Sequence, residues 1–160
     1  MLNVSIICVG KLKESYWREA CAEYEKRLGG FCRLTVTEVG EERLPDKPSE
    51  AAVAAALQAE GRRLLDKVPE NALLTALCIE GKEMSSVELT ERIQNWSVSG
   101  SSRLAFVIGG SWGLSQEVKQ AARLQLSMSP MTFPHQLMRV ILLEQVYRGF
   151  RINAGEPYHK

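Results

Sequence analysis

The sequence has almost no surplus charge: 20 lysines and arginines against 19 aspartates and glutamates leave a net +1 over 160 residues. No global basic field therefore points to a nucleic-acid partner, and RNA or DNA contact would have to rest on a local patch or on one assembled from two subunits. Cysteine is scarce and scattered. Cys8, Cys21, Cys32 and Cys78 lie too far apart for Cys-x-x-Cys metal spacing, and three of them fall in apolar strand or helix patterns. They read as reduced core thiols of a cytoplasmic protein rather than metal ligands or disulfides. The chain shows no secretory leader pattern and no apolar run of about 18 residues, so neither secretion nor a membrane span is expected. Repeats and low-complexity tracts are missing too, the alanines between Ala51 and Ala56 being ordinary helix formers. Histidine is limited to His135 and His159, which narrows the choice of a proton acceptor.

With 45% hydrophobic and 24% charged residues, the chain fits one globular domain over residues 1–160. Val4 to Val9 is a continuous apolar run ending at Gly10, followed by a helical pattern with Trp17, Cys21, Tyr24 and Leu28 on one face. Arg33 to Val39 favours strand, and a polar connection containing Pro45 and Pro48 leads to a helix from about Ser49 to Lys67. Ala72 to Ile79 is a second buried strand. Ser85 and Glu88 form a capping box that opens a helix through Leu89, Ile93 and Trp96. Leu104 to Ile108 is an entirely apolar strand, Ser115 an N-cap with Glu117 in the first turn, and Leu124 to Met128 a last strand. Continuous apolar strands alternating with amphipathic helices predict an α/β, doubly wound, mostly parallel sheet with helices on both faces.

Ligands of such sheets bind outside the carboxyl ends of the strands. Three loops follow such ends: Gly81-Lys82, Gly109-Gly-Ser-Trp-Gly-Leu114, and Ser129-Pro-Met-Thr-Phe133. The glycines of the middle loop allow close approach of backbone to a ligand, and a helix start near Ser115 would offer free N–H groups, as a phosphate cradle does. The same glycines equally suit a tight strand-to-helix turn, and the loop has neither a Gly-x-Gly-x-x-Gly order nor a Gly-Lys-Ser/Thr ending.

The end of the chain is the richest in chemistry. Pro134 suits a first helical position. The helix it opens runs to about Asn153 and is apolar nearly all round, with Glu144, Arg148 and Arg151 in one narrow stripe and Arg139 nearly opposite. Such a helix is expected to be buried on two sides, either in a dimer or as a central core helix of a monomer. Tyr158, His159 and Lys160 close the chain with a cluster too reactive for a frayed end.

Gly-Lys after one strand, Gly-Gly-Ser-x-Gly-Leu after the next, then Met-Thr-Phe-Pro-His-Gln-x-x-Arg-Val, Glu-Gln-x-Tyr-Arg and a terminal Pro-Tyr-His-Lys closely resemble one family. It is that of the bacterial large-subunit (23S) ribosomal RNA pseudouridine N3-methyltransferases, minimal members of the SPOUT superfamily. The resemblance extends from Val9-Gly-Lys-Leu-Lys13 and Tyr24-Glu-Lys-Arg-Leu28 to Lys160. It implies a deep trefoil knot in the C-terminal part, a feature that sequence reasoning would not propose unaided. It implies S-adenosyl-L-methionine as methyl donor, S-adenosyl-L-homocysteine as product, and no metal. The positions matching the cofactor site are Leu77, Gly109, Met128, Ser129, Pro130, Met131, Thr132 and Phe133, whose apolar walls and loop backbone suit an adenine.

The resemblance further implies a cytoplasmic homodimer in which one subunit's tail helps complete the other's site. The substrate is 23S ribosomal RNA in the large subunit or the complete ribosome, recognised by shape, since the chain carries no appended RNA-binding domain and little net charge. A ring imide nitrogen must lose its proton before it can attack a methyl group, which makes His159 the preferred group on the acceptor side. Tyr158 would stack on or hydrogen-bond the base, and Lys160 or the terminal carboxylate would meet RNA or the neighbouring subunit. Arg148 either orients the target nucleotide or forms an i,i+4 ion pair with Glu144. His135, near a helix start, reads as a neutral structural histidine more readily than as a catalyst. Arg139 is expected to support the dimer or the tail. Lys11, Lys13, Arg18, Lys26 and Arg27 are RNA contacts or ordinary solvated charges. Trp112 stands at a variable place in the glycine loop, where it caps the cofactor or packs, and Pro130 stiffens the cofactor loop.

Overall fold

In the computed structural model, which describes residues 1–158, five strands and five helices alternate strictly along the chain. They are β1 (Asn3–Val9), α1 (Ser15–Leu28), β2 (Arg33–Val39), α2 (Glu50–Asp66), β3 (Leu73–Glu83), α3 (Ser86–Val98), β4 (Arg103–Ile108), α4 (Gln116–Ala121), β5 (Leu124–Ser127) and α5 (His135–Asn153). Serine hydroxyls begin three of the helices by accepting backbone N–H groups: Ser49 from Ala52, Ser85 from Glu88, and Ser115 from Val118. At α3 the Glu88 carboxylate also accepts the Ser85 N–H at 2.7 Å, which completes the expected capping box.

The strands form one sheet in the order β2-β1-β4-β3-β5, and every neighbouring pair is parallel. Alternate residues of the central strands feed two cores. Val4, Ile6, Cys8, Leu104, Phe106 and Ile108 face α1, α3 and α5, whereas Ile7, Val9, Ala105 and Val107 face α2 and α4. Connections that run one way along the sheet carry their helices on one face, and those that run the other way carry them on the opposite face. A single crossover hand requires that arrangement. Burial pushes the Cys8 thiol up to about 12 and the Cys32 thiol up to about 11, so both are unreactive core groups.

Three local expectations are corrected. Gly81 and Lys82 do not form a loop: β3 continues to Glu83, and Leu77 and Lys82 both pair with Leu126, so residues 78–81 bow out of the ladder. A Cβ on Gly81 would lie 2.7 Å from the carbonyl carbon of Gln125, so this glycine serves the close approach of β3 to β5. Pro134 is the N-cap of α5, with φ −54° and ψ 138°, and His135 is the first helical residue. Its missing N–H costs nothing at either position.

Arg139, expected near the dimer or tail, is buried inside its own chain. Its guanidinium meets the Glu38 carboxylate and the Gly10 carbonyl, each at 2.7 Å, and so ties α5 to the carboxyl ends of β1 and β2. Those partners offset the cost of burying the charge. On the sheet side α5 buries Leu142, Leu143, Val146 and Tyr147, while Leu137, Val140 and Ile141 remain half-buried.

Candidate functional site

Beyond the carboxyl ends of β3, β4 and β5 lies a cleft of about 860 Å³, within the range of about 300–1,000 Å³ usual for small-molecule sites. Residues 77–80 of β3, the turn 109–114, Lys119 of α4, residues 128–129 and 131–133 of the next loop, and the first turn of α5 are among its walls. Gly109 and Gly113 explain the shape of the turn. A Cβ on Gly109 would sit 2.3 Å from the Gly113 carbonyl oxygen, and Gly113 itself has φ +87°, where an L side chain is strained. The Gly113 N–H donates to the Gly110 carbonyl at 3.1 Å and closes the turn. The Ser115 hydroxyl takes the Val118 N–H, one of the helix-start donors that a phosphate cradle would use.

The opposite wall is shaped by two serines. The Ser127 hydroxyl donates to the Ser129 carbonyl, and the Ser129 hydroxyl accepts the Met131 N–H, both at 3.0 Å. Leu77, Gly109, Met128, Ser129, Met131, Thr132 and Phe133 all line the cleft, whereas Pro130 lies outside it, on a shallow depression with Glu83, Met84 and Glu88. Trp112 and Met131 are exposed at its mouth, 55% and 72% respectively, so the cleft has two apolar lips.

Charge is sparse inside. Glu80 on the bulge pairs with Lys119 of α4, and that ammonium holds the Glu80 carboxyl below its ordinary range. His135 is held below its ordinary pKa by burial, an effect that Glu41 opposes and Arg139 reinforces, and at neutral pH it is an uncharged wall residue. Among the described residues, no group of three or more His, Cys, Asp or Glu could hold a metal ion. Cys78, Glu80, Lys119 and Gln136 also line the cleft and were not foreseen as site residues. The bulge and strand order that bring them there leave no local pattern; the one hint was the Gly81-Lys82 pair just beyond Glu80.

Arg148 and Tyr158 lie at the other end of α5. Arg148 stands thirteen helical steps beyond His135, about 20 Å at the usual rise per residue. Arg148 pairs with Glu144 at 2.5 Å and stands over the Tyr158 ring, 4.9 Å from its centroid. Tyr158 packs edge-on against Tyr147 at 5.0 Å and hydrogen-bonds Glu144 at 3.4 Å. Arg27 and Arg151 also lie over the Tyr147 ring, 5.9 and 5.6 Å from its centroid. Within one chain these candidates and the cleft are therefore not brought together. His159 and Lys160 lie outside the described residues. Of the basic surface residues, Arg27 pairs with Glu23 at 2.9 Å, and Arg18 donates to the Leu12 carbonyl at 3.0 Å.

A parallel open sheet of one crossover hand, with a ligand-sized cleft beyond its strand ends, is the architecture of a small-molecule-binding α/β enzyme domain. The family model described as predicted SPOUT methyltransferase matches residues 2–159, and the chain belongs to that family. It is 54% identical over 159 residues to "Ribosomal RNA large subunit methyltransferase H" of Clostridium novyi, covering 99% of this chain and 100% of that one. With the protein of the same name from Bifidobacterium animalis subsp. lactis it shares 51% over the same coverage. Among solved structures, it resembles a probable methylase family protein from Haemophilus influenzae Rd KW20. That match has a TM-score of 0.56 and 14% identity and covers 99% of this chain and 71% of the other, a likeness of fold.

Proposed function

We propose that this methyltransferase uses S-adenosyl-L-methionine to methylate the N3 position of a pseudouridine in 23S ribosomal RNA, within the large subunit or the complete ribosome, as a cytoplasmic homodimer. The observation that carries the reading is the cleft beyond β3, β4 and β5, in a chain that matches large-subunit methyltransferases over 99% of its length.

The cleft suits the cofactor in size and chemistry. Leu77, Met128 and Phe133 supply apolar walls for the adenine, the backbone of the 128–133 loop supplies donors and acceptors, and Gly109 keeps side-chain bulk out. The bound cofactor supplies an electrophilic methyl group on a sulfonium, so the chain needs only to align the reactants and remove a proton. His159 takes the imide proton, Tyr158 holds the base, and Arg148 exchanges Glu144 for the nucleotide or a phosphate. Pro130 acts from outside by stiffening the loop.

The separation of Arg148 from the cleft of its own chain supports the dimer, because a two-fold partner can bring its tail to the opposite cleft. Half-buried Leu137, Val140 and Ile141 on α5 supply apolar surface for that contact. The C-terminal trefoil knot rests on the family match. An experimental structure of the dimer with S-adenosyl-L-homocysteine tests both ideas. Tails that stay on their own chain, or a chain that pulls straight when its ends are drawn, would overturn them.

Tritiated methyl from S-adenosyl-L-methionine is expected to enter 70S particles that lack the modification. Transfer to transfer RNA but not to ribosomes would refute the substrate and leave the fold intact.

A further inference from the structure

We propose that Glu80 and Lys119 form the subsite for the zwitterionic amino-acid end of the cofactor, an inference that rests on the cleft being the cofactor site. Among the described residues that line the cleft, these two are the only Asp, Glu, Lys or Arg. They arrive from different elements, Glu80 on the four-residue bulge of β3 and Lys119 in the last turn of α4. An ammonium and a carboxylate side by side in a largely apolar cleft mirror the carboxylate and ammonium of an α-amino acid. A bound amino acid can pair head to tail with both.

The two side chains are differently exposed. Lys119 is 14% exposed and Glu80 54%, so the cation is set into the wall while the carboxylate faces the cleft with acceptor capacity to spare. The backbone around Lys119 is anchored, since the Gln125 side chain donates to its carbonyl at 3.1 Å and joins α4 to β5. A partner set on fixed elements loses little freedom when a ligand arrives. Stability does not account for the pair, because an ion pair with a half-exposed partner adds little to folding. A nucleotide phosphate is a poor match. It would find one lysine already neutralised by Glu80 and a short helix whose first N–H groups are partly capped by Ser115.

Two probes isolate the subsite. S-adenosyl-L-homocysteine and methylthioadenosine share adenosine and a thioether, but only the former carries the amino acid. In calorimetry the full-length protein is expected to bind S-adenosyl-L-homocysteine about tenfold or more tighter than methylthioadenosine, the factor that charge-assisted contacts supply. Lys119→Met and Glu80→Gln should each remove most of that preference and leave methylthioadenosine affinity unchanged, which also reports an intact fold. Equal weakening of both ligands would overturn the proposal by making the pair structural, and so would an unchanged preference in both variants. Failure of the unsubstituted protein to bind either compound would refute the cofactor cleft itself, a different result from a cleft that binds both without discriminating.

Discussion

At the His135 end of α5 the surroundings are apolar side chains, loop backbone and one ion pair, whereas at the Arg148 end three arginines and three tyrosines are already engaged with one another and with Glu144. The first end is a shaped hollow. The second is a cluster of packed rings and guanidinium groups. A ligand carrying its own sulfonium needs shape and alignment, which apolar walls and tight glycines supply. A nucleotide needs donors that can change partners, and Arg148, held by Glu144 in an i,i+4 pair, is such a donor. One helix thus joins two kinds of chemistry at a distance that a single chain does not close.

The largest test of that contrast falls on the cleft. Gly109→Ala would push a methyl group onto the Gly113 carbonyl, 2.3 Å away, and neither backbone can yield cheaply. Affinity for S-adenosyl-L-homocysteine should fall by at least about a hundredfold and stability by ~3 kcal/mol, read by calorimetry and denaturant titration. Unchanged binding would show that the turn does not set the clearance. At the other end, Arg148→Met should lower methyl transfer by about a hundredfold while S-adenosyl-L-homocysteine affinity stays within about twofold and stability drops by only ~1 kcal/mol. If cofactor affinity fell in parallel with turnover, the two ends would not be functionally separate.

The smallest effect concerns pH. His135 is held below its usual 6.5 by burial, so below that pH the unfolded chain takes up a proton that the folded one resists. The contribution of His135 to stability is complete above pH 6.5 and is lost as pH falls through the window beneath it. His135→Asn should flatten that decline in denaturant titrations between neutral and mildly acidic pH. Glu60, whose carboxyl is raised by burial, slopes the other way and is present in both proteins, so the difference isolates His135. An identical pH profile in the two proteins would mean that the histidine does not feel its surroundings as described.

Most of the architecture was legible locally. Ser49, Ser85 and Ser115 announced helix starts because a cap is made within three residues of chain. The runs Val4 to Val9, broken only by Ser5, and Leu104 to Ile108 announced strands buried on both faces because they are apolar almost throughout. The wall from Met128 to Phe133 was reached through resemblance to a family, since no periodicity marks an irregular loop as a binding surface.

What local pattern could not convey depended on strand order. Placing β5 beside β3 is what bows residues 78–81 outward, makes Gly81 obligatory at Gln125 and sets Glu80 against Lys119. Arg139 had the same ambiguity: on a helical wheel it is an outlying cation, and only the packing of α5 against the ends of β1 and β2 supplies Glu38 and the Gly10 carbonyl. The sequence by itself determined the order of the elements, the three serine caps and the kinship, because propensity, periodicity and motif order act over neighbouring residues. Tertiary structure decided which charges meet and that the cleft and the arginine–tyrosine cluster stand apart, because electrostatic pairing and backbone clearance depend on distances through space that sequence separation does not reveal.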